Sequence, residues 1–324
     1  MPASRADGLP TEFSHLTYMF GNYATSSYHA LQARFQRHFS DGLAAIASYT
    51  WSHSIDTGSV NASIPAQAVP TAAILASAIP FNLVKASSDF DIRQALGVSL
   101  VYDIPTPFAG NRFASAVLGQ WSVDPIYHYQ TAVPVDVFAN NTGTLGGATG
   151  LSQRPNLIPG VPVYVYGADC TAQRNGQGCP GGVGFNVAPV STPVAAANGC
   201  IAPTAANAKG AYCTPMPIGG QAVSGNLGRN VLRGFPLQEF DLSVHRDFPF
   251  RERFRLRFQS DMFNLFNHPQ FGPEGGLISG SSFGLATAMA NSSLGAAVNS
   301  GAGFNPIFNT RGPRNLQFAM KLFF

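Results

Sequence analysis

Four cysteines are the residues of this chain best suited to covalent or metal chemistry, and all lie within one stretch rich in Gly, Pro, Ala and Asn. They are Cys170, Cys179, Cys200 and Cys213. Zinc knuckles and ribbons need close cysteine pairs, about two to four residues apart, which these spacings do not supply. An even number of loop cysteines is typical of disulfides in an oxidising compartment. Three pairings are open, and Cys170–Cys179 with Cys200–Cys213 is the most local of them.

Other reactive side chains do not assemble into a catalytic motif. The segment "GSSFG" (Gly280–Gly284) matches a nucleophile elbow, but no Asp, Glu or His follows Ser282 to complete a triad. The seven histidines lack the spacing of a metal site. Asp89, Asp91 and Arg93 form a charged cluster, for which a solvated ion pair is the default interpretation. The sequence therefore predicts no enzyme, no cofactor and no metal.

The composition is unusual for a soluble domain. Of 324 residues, 45% are hydrophobic and only 11% are charged, whereas soluble domains carry roughly 25% charged residues. The net charge of +3 is too small to indicate nucleic-acid binding. No run of about 20 apolar residues predicts a transmembrane helix. The start, "MPASRADGLPTEF", lacks the pattern of a signal peptide.

Strict alternation of apolar and polar residues predicts strands that have one apolar face. Seven segments show it: Tyr28–Phe39, Leu43–Ser54, Ile92–Asp103, Trp121–Gln130, Glu239–Phe248, Arg253–Phe263 and Arg314–Phe324. Each is close to the length that a tilted strand needs to cross a bilayer. Their connections alternate between shorter turns and long loops, the largest covering about residues 131–236. This pattern predicts an all-β, antiparallel transmembrane β-barrel segment with short periplasmic turns and long extracellular loops.

The faces of these strands make two further predictions. Aromatic residues gather toward both ends of the apolar faces, as expected at the two membrane interfaces. Polar residues on the opposite faces are candidates to line the barrel lumen, where they would touch a ligand or an internal plug. These lumen-facing candidates are Gln32, Arg34, Arg93, Arg255, Arg257 and Gln259.

Several segments, in order, resemble the last part of the barrel in Oar-like TonB-dependent outer-membrane receptors. They include "SSDFDIRQALGVSLVYDIP", "QRPNL", "GNLGRNVLRGFPLQEFDLSVHRDF", "FNLFNHPQFG" and "RNLQFAMKLFF". In that family a carboxypeptidase-regulatory-like domain and a plug precede a barrel of about 22 strands. The resemblance implies that Phe324, the terminal aromatic residue, is the signal that the barrel-assembly machinery reads.

The resemblance also implies a function and a set of partners. The expected function is the C-terminal part of a receptor that binds or imports a bulky, scarce ligand, with lipid, TonB and the ligand as partners. The alternative is a surface or adhesion protein that displays large loops without transport. No plug is recognisable, and seven strands do not close a barrel, so upstream strands are expected elsewhere. Residues 1–27 are interpreted as the remnant of an extracellular loop, and residues 28–324 as the barrel segment.

Overall fold

The protein is described by a computed structural model that covers fourteen stretches of the chain. They are residues 24–57, 59, 85–105, 119–139, 144–145, 148–149, 153–173, 179, 183–218, 223–250, 254–272, 274–286, 290 and 312–324. Most of the predicted loop remnant, residues 1–23, lies outside them.

Seven long strands form one antiparallel sheet, as the alternation predicts. They are β1 (Ser26–Ser40), β2 (Leu43–Asp56), β3 (Gln94–Asp103), β4 (Trp121–Gln130), β5 (Leu237–Phe250), β6 (Phe254–Phe263) and β7 (Asn315–Phe323). Each strand pairs with the next one along the chain, so the sheet is an up-and-down meander. The first strand begins two residues before the predicted Tyr28, and the other boundaries move by at most two residues.

The tight turn between β1 and β2 has a clear local cause. Asp41 and Gly42 both have positive φ, 52° and 77°, which is the backbone of the two-residue turns that match the twist of paired strands. Aspartate and glycine tolerate that region best. A side chain at Gly42 would also come within 2.9 Å of the carbonyl oxygen of Asp103. This turn therefore fixes the register of the first hairpin.

One face of the sheet is apolar from the first strand to the last. Cross-strand partners point to the same side, and the register places Phe35, Ala47, Val98, Tyr127 and Phe240 in one row across β1 to β5. Protein does not cover this face: Phe35 on β1 is 61% exposed, Trp51 on β2 is 56% exposed and Phe318 on β7 is 69% exposed. A large exposed apolar sheet is what lipid contact requires.

Two arginines interrupt the apolar face, both near its periplasmic end. Arg37 occupies a lipid-side position on β1 and donates a hydrogen bond to the carbonyl of Ser40. On β5, Arg246 lies opposite Trp121, with its guanidinium 4.5 Å from the ring centre of Phe248. Long basic side chains can reach the headgroup region while their stems stay in apolar surroundings. The exposed Arg37 therefore fits a membrane boundary, whereas Arg246 is only 7% exposed and packs against aromatic rings.

The described parts of the long loops are folded, which the sequence did not predict. Two helices, α1 (Gly167–Gln173) and α2 (Thr192–Ala197), occur there among several very short strands. These strands are Ala86–Ser87, Pro134–Val135, Thr144–Leu145, Ala148–Thr149, Asn156–Leu157, Tyr164–Tyr166, Val183–Phe185, Ala208–Lys209, Tyr212–Cys213 and Leu232–Arg233. Strands of two or three residues are too short to show periodicity, so the sequence of these loops gives no sign of them.

The described residues within 131–236 and 264–290 are called the cap. The cap has its own hydrophobic core, in which Val137, Phe185, Tyr212, Ile278 and Phe283 are almost fully buried. The ring of Phe283 lies edge-on to Tyr212, with centres 5.8 Å apart. Burial of large side chains on this scale stabilises a fixed arrangement rather than a set of free loops. Neither helix in the described part of the chain is long and apolar enough to cross a membrane.

The sheet is open. Strands β1 and β7 are its two edges, and within the described residues neither pairs with the other or with a further long strand. The side chains of β1 are exposed on both faces along its whole length.

Candidate functional site: the polar face and its cap

Two disulfides tie the cap together. Cys170, on α1, is bonded to Cys179, and Cys200 is bonded to Cys213. The structure thus contains the most local of the three possible pairings. The second disulfide belongs to a small buried cluster with Ile158. Cross-links of this kind favour the folded state by restricting the unfolded chain.

A buried arginine joins the cap to the outer end of the sheet. Arg229 donates to the carboxylate of Asp56 at 2.6 Å and to the backbone carbonyl of the same residue at 2.7 Å. Its other terminal nitrogen donates to the hydroxyl of Ser59 at 2.6 Å and lies 3.4 Å from Asp89. Burial raises the pKa of Asp89, against the opposing effects of Asn230 and Arg229. A buried guanidinium with several acceptors holds the segments that carry them in one arrangement.

A second arginine makes a similar connection next to it. Arg233 donates to the carboxylate of Asp91 at 2.5 Å and to its backbone carbonyl at 2.7 Å. Arg93, a predicted lumen residue, lies at the outer rim with its Nε 3.1 Å from the same carboxylate. The side chain of Asp91 is fully buried. The interpretation of this cluster as a solvated ion pair is therefore wrong for Asp91, because the cap covers it.

A third buried pair lies inside the cap. Arg154 forms a two-pronged ion pair with Asp136, one contact being 2.9 Å, and both side chains are almost fully buried. The backbone N–H of Asn230 donates to the same carboxylate at 3.3 Å. The "QRPNL" and "GNLGRN" segments meet here. The side chain of Asn156 accepts a hydrogen bond from the backbone N–H of Asn226, and the side chain of Asn226 accepts one from the backbone N–H of Leu157. Polar residues of these two segments therefore hold the segments together inside the cap.

The periplasmic half of the polar face is a ladder of charged and amide side chains. Arg257 donates to Asp247 through two nitrogens, at 2.7 and 2.9 Å, and Arg255 lies 3.4 Å from the same carboxylate. Gln259 accepts a hydrogen bond from Lys321 at 2.8 Å. These three predicted lumen candidates therefore share one connected polar surface on β5, β6 and β7.

The remaining two candidates lie at the opposite edge of the sheet. Gln32 and Arg34 are exposed on β1, and Arg34 donates to Gln36 at 3.2 Å. The six predicted lumen residues thus divide among the rim, the periplasmic ladder and the β1 edge, and the structure does not gather them into one site.

A groove that the sequence analysis missed lies on the outer half of the polar face. Its floor is formed by small residues, including Ser48, Thr50 and Gly97, and it is also lined by His128 and Glu239. The register places Ser48, Gly97, His128 and Glu239 in a single row across β2 to β5. The sequence signal for this groove is the alternation of apolar and polar residues. Alternation shows which face of a strand each residue occupies, but it does not show which strands pair. Among the described residues, no cluster of His, Cys, Asp and Glu could hold a metal ion.

The comparison with protein families identifies this architecture. The model described as "Outer membrane beta barrel domain" matches residues 3–317. The chain belongs to this family. Its place is the bacterial outer membrane. In this setting we expect the exposed apolar face of the sheet to contact lipid and the opposite face to line the lumen. No curated protein and no solved structure matches the chain.

Proposed function

We propose that this outer-membrane protein is part of a TonB-dependent receptor of the Oar-like kind, which binds a bulky, scarce ligand at its outer face and passes it inward. The chain would supply lumen wall and an extracellular cap, without enzymatic activity. Its partners would be lipid, the ligand, TonB acting through a plug, and the barrel-assembly machinery, which would read Phe324. The resemblance of the motif-bearing segments is the reason to prefer this class.

The observation that carries the proposal is the attachment of the cap. The buried guanidinium of Arg229 and the partly exposed one of Arg233 hold it against the outer end of the sheet through buried carboxylates. A receptor that captures a ligand before import needs a preorganised outer surface next to its lumen, because loops that must order on binding lose affinity to that cost. A cap with its own core and two disulfides meets this requirement.

The second candidate function is surface display, in which the sheet only anchors the cap for adhesion. Exposed apolar side chains favour it: Ile218 is 72% exposed and Tyr166 is 66% exposed, and both belong to the cap. Exposed apolar residues form a contact surface only where several lie together, so display requires that such residues of the cap be gathered on one side. The two candidates differ in one respect, since only a receptor needs energy from the inner membrane.

An uptake assay separates them. Cells that carry the gene and a working TonB system would be supplied with a labelled ferric siderophore, cyanocobalamin or maltoheptaose, all too large for ordinary diffusion pores. We expect at least one to accumulate, and disruption of TonB to abolish the accumulation. Equal accumulation of every probe in cells with and without TonB would contradict the receptor function. Adhesion that survives TonB disruption, without uptake, would favour display.

A further inference from the structure

The turn that follows β6 is more elaborate than a simple connection needs. It comprises Asn264–Gln270, within the distinctive segment "FNLFNHPQFG", and neither the receptor nor the display function accounts for it. Asn264 and Asn267 have positive φ, 47° and 51°, a region that asparagine tolerates better than most residues. The two asparagines therefore allow sharp bends on either side of Phe266.

Side-chain hydrogen bonds hold this turn in one arrangement. The buried amide of Asn264 donates to the carbonyls of His268 and Gly312, both at 2.8 Å. It also accepts a hydrogen bond from the N–H of His268 at 2.8 Å. Asn267 accepts one from the N–H of Arg314 at 3.1 Å, directly before β7. The turn thus joins the outer ends of β6 and β7.

The turn presents an aromatic side chain to the outside. Phe266 is 73% exposed, and the centre of its ring is 5.2 Å from the ring centre of Phe240. Phe240 belongs to the apolar face of the sheet, near the outer end of β5. Phe266 therefore continues the apolar face beyond the outer end of that strand. Aromatic rings at this place are typical of the membrane interface.

A basic residue lies beside the turn on the same face. Arg314 directly precedes β7, and the alternation of that strand places it on the side of Leu316. Leu316 pairs with Met262, which pairs with Leu242 on the apolar face. Arg314 is exposed, and within the described residues its guanidinium makes no hydrogen bond or ion pair.

The height of Arg314 in the membrane follows from strand geometry. Ten residues separate it from Phe324, which corresponds to about 34 Å along a strand and about 26 Å along the membrane normal at a tilt of about 40°. The apolar band of an outer-membrane barrel is about 25 Å tall. With Phe324 at the periplasmic boundary, Arg314 lies at the outer boundary, where the headgroups begin.

A guanidinium at this height is suited to an anionic headgroup. Guanidinium groups bind phosphate oxygens through paired, charge-assisted hydrogen bonds. The carboxylate that contacts the turn is that of Asp241, which accepts from the N–H of Asn264 at 2.8 Å. Asp241 is the neighbour of Phe240 on β5, so its side chain belongs to the opposite face of the sheet. Positive charge therefore remains on the lipid side of the turn.

We propose that Phe266 and Arg314 form a binding site for a phosphate-bearing lipid of the outer leaflet. The ring of Phe266 would lie where the hydrocarbon chains of the lipid meet its headgroup, and Arg314 would hydrogen-bond the phosphate. The inference depends on the outer-membrane location. It is independent of whether the chain imports a ligand or displays its cap.

The test uses the protein extracted from native outer membranes in non-ionic detergent and washed free of lipid. The probes are a glucosamine disaccharide lipid with two phosphates, the same lipid without phosphate, and inorganic phosphate. Native mass spectrometry at increasing probe concentration gives the apparent Kd of each. We expect the phosphorylated lipid to bind about fivefold more tightly than the lipid without phosphate. Equal affinity for the two lipids, or displacement of the lipid by an equal concentration of inorganic phosphate, would overturn the proposal.

Two variants separate the two roles. Arg314→Gln should remove the preference for the phosphorylated lipid and leave the affinity for the other lipid unchanged. Phe266→Ser should weaken both lipids by about fivefold and keep the preference, because the ring contacts no phosphate.

The matched control is Arg34→Gln, which removes an exposed guanidinium on the polar face of β1 and should bind like the parent protein. Heat-modifiable migration on a gel shows that each variant is folded. A preference that survives Arg314→Gln, or that Arg34→Gln removes equally, would contradict the site. Two protein copies that associate through this turn without bound lipid would assign the surface to a second copy instead.

Discussion

Two tyrosines in the cap core have opposite hydrogen-bonding situations. The Tyr164 hydroxyl donates to the carbonyl of Arg233 at 3.1 Å and accepts from its N–H at 2.8 Å. The Tyr212 hydroxyl is buried and has no hydrogen-bond partner within the part of the chain that the structure describes. Burial accordingly raises the pKa of Tyr212. The same side chain thus stabilises the cap at one position and costs free energy at the other.

Phenylalanine at each position tests this difference. Tyr212→Phe should raise the free energy of unfolding of the cap by about 1 kcal/mol, because it removes an unpaired buried hydroxyl. Tyr164→Phe should lower it by about 1–2 kcal/mol, since two partners lose their bonds. The measurement is thermal unfolding in detergent, followed by protease cleavage within the cap. A Tyr212→Phe variant destabilised as much as Tyr164→Phe would show that Tyr212 has a bound partner.

Arg229 gives a second prediction at this scale. Arg229→Met would leave Asp56 and Asp89 buried without their guanidinium partner, which costs about 3–5 kcal/mol. We expect the cap to be cut faster by protease added to intact cells. The control is Arg34→Met, which removes an exposed guanidinium that donates to Gln36 on the same strand and should change little. Unchanged cleavage of the Arg229 variant would mean that other contacts hold the cap.

At the scale of elements, the long strands could be predicted and the cap could not. Alternation is a property of neighbouring residues, so Leu43–Ser54 was recognisable as a strand from its own sequence. Arg229 and Ser59, by contrast, are 170 residues apart along the chain. A contact at that separation leaves no local pattern. The groove could not be predicted for the same reason, since strand pairing is what brings Gly97 beside His128.

The lipid-facing assignment predicts where charge is tolerated. Val98 and Leu242 lie near the middle of the apolar face of β3 and β5, so arginine at either should cost about 2–4 kcal/mol of barrel stability. Ser99→Arg, one residue away on the lumen face, is the matched control and should be tolerated. Urea unfolding of the protein in lipid vesicles measures both. Equal tolerance at Val98 and Ser99 would reverse the assignment of the two faces.

The disulfides make a prediction for the cap as an element. Mass spectrometry of non-reduced peptides from native outer membranes should show Cys170 linked to Cys179 and Cys200 linked to Cys213, with no free thiol. An extracellular cap meets an oxidising environment, in which such bonds persist. Four alkylatable cysteines would contradict the extracellular position of the cap.

At the scale of the whole molecule, the two faces and the two edges of the sheet impose different requirements. The apolar face is satisfied by lipid, and the polar face by the lumen and the cap. Within the described residues, the edges at β1 and β7 are satisfied by neither, because each presents a row of N–H and C=O groups in its pairing direction. Each unpaired group in hydrocarbon costs several kcal/mol, so open sheets do not persist in a bilayer.

We therefore expect β1 and β7 to pair with strands outside the described residues. The test is to attach a signal peptide to residues 1–324 and express them in an outer membrane. Degradation in the periplasm is expected for this chain alone, and co-expression with upstream barrel strands should rescue it. Substituting Phe324 by alanine gives a control for the assembly step, because it should reduce assembly even when the partner strands are present. A protease-resistant, heat-modifiable monomer formed by residues 1–324 alone would show that the chain satisfies its own edges.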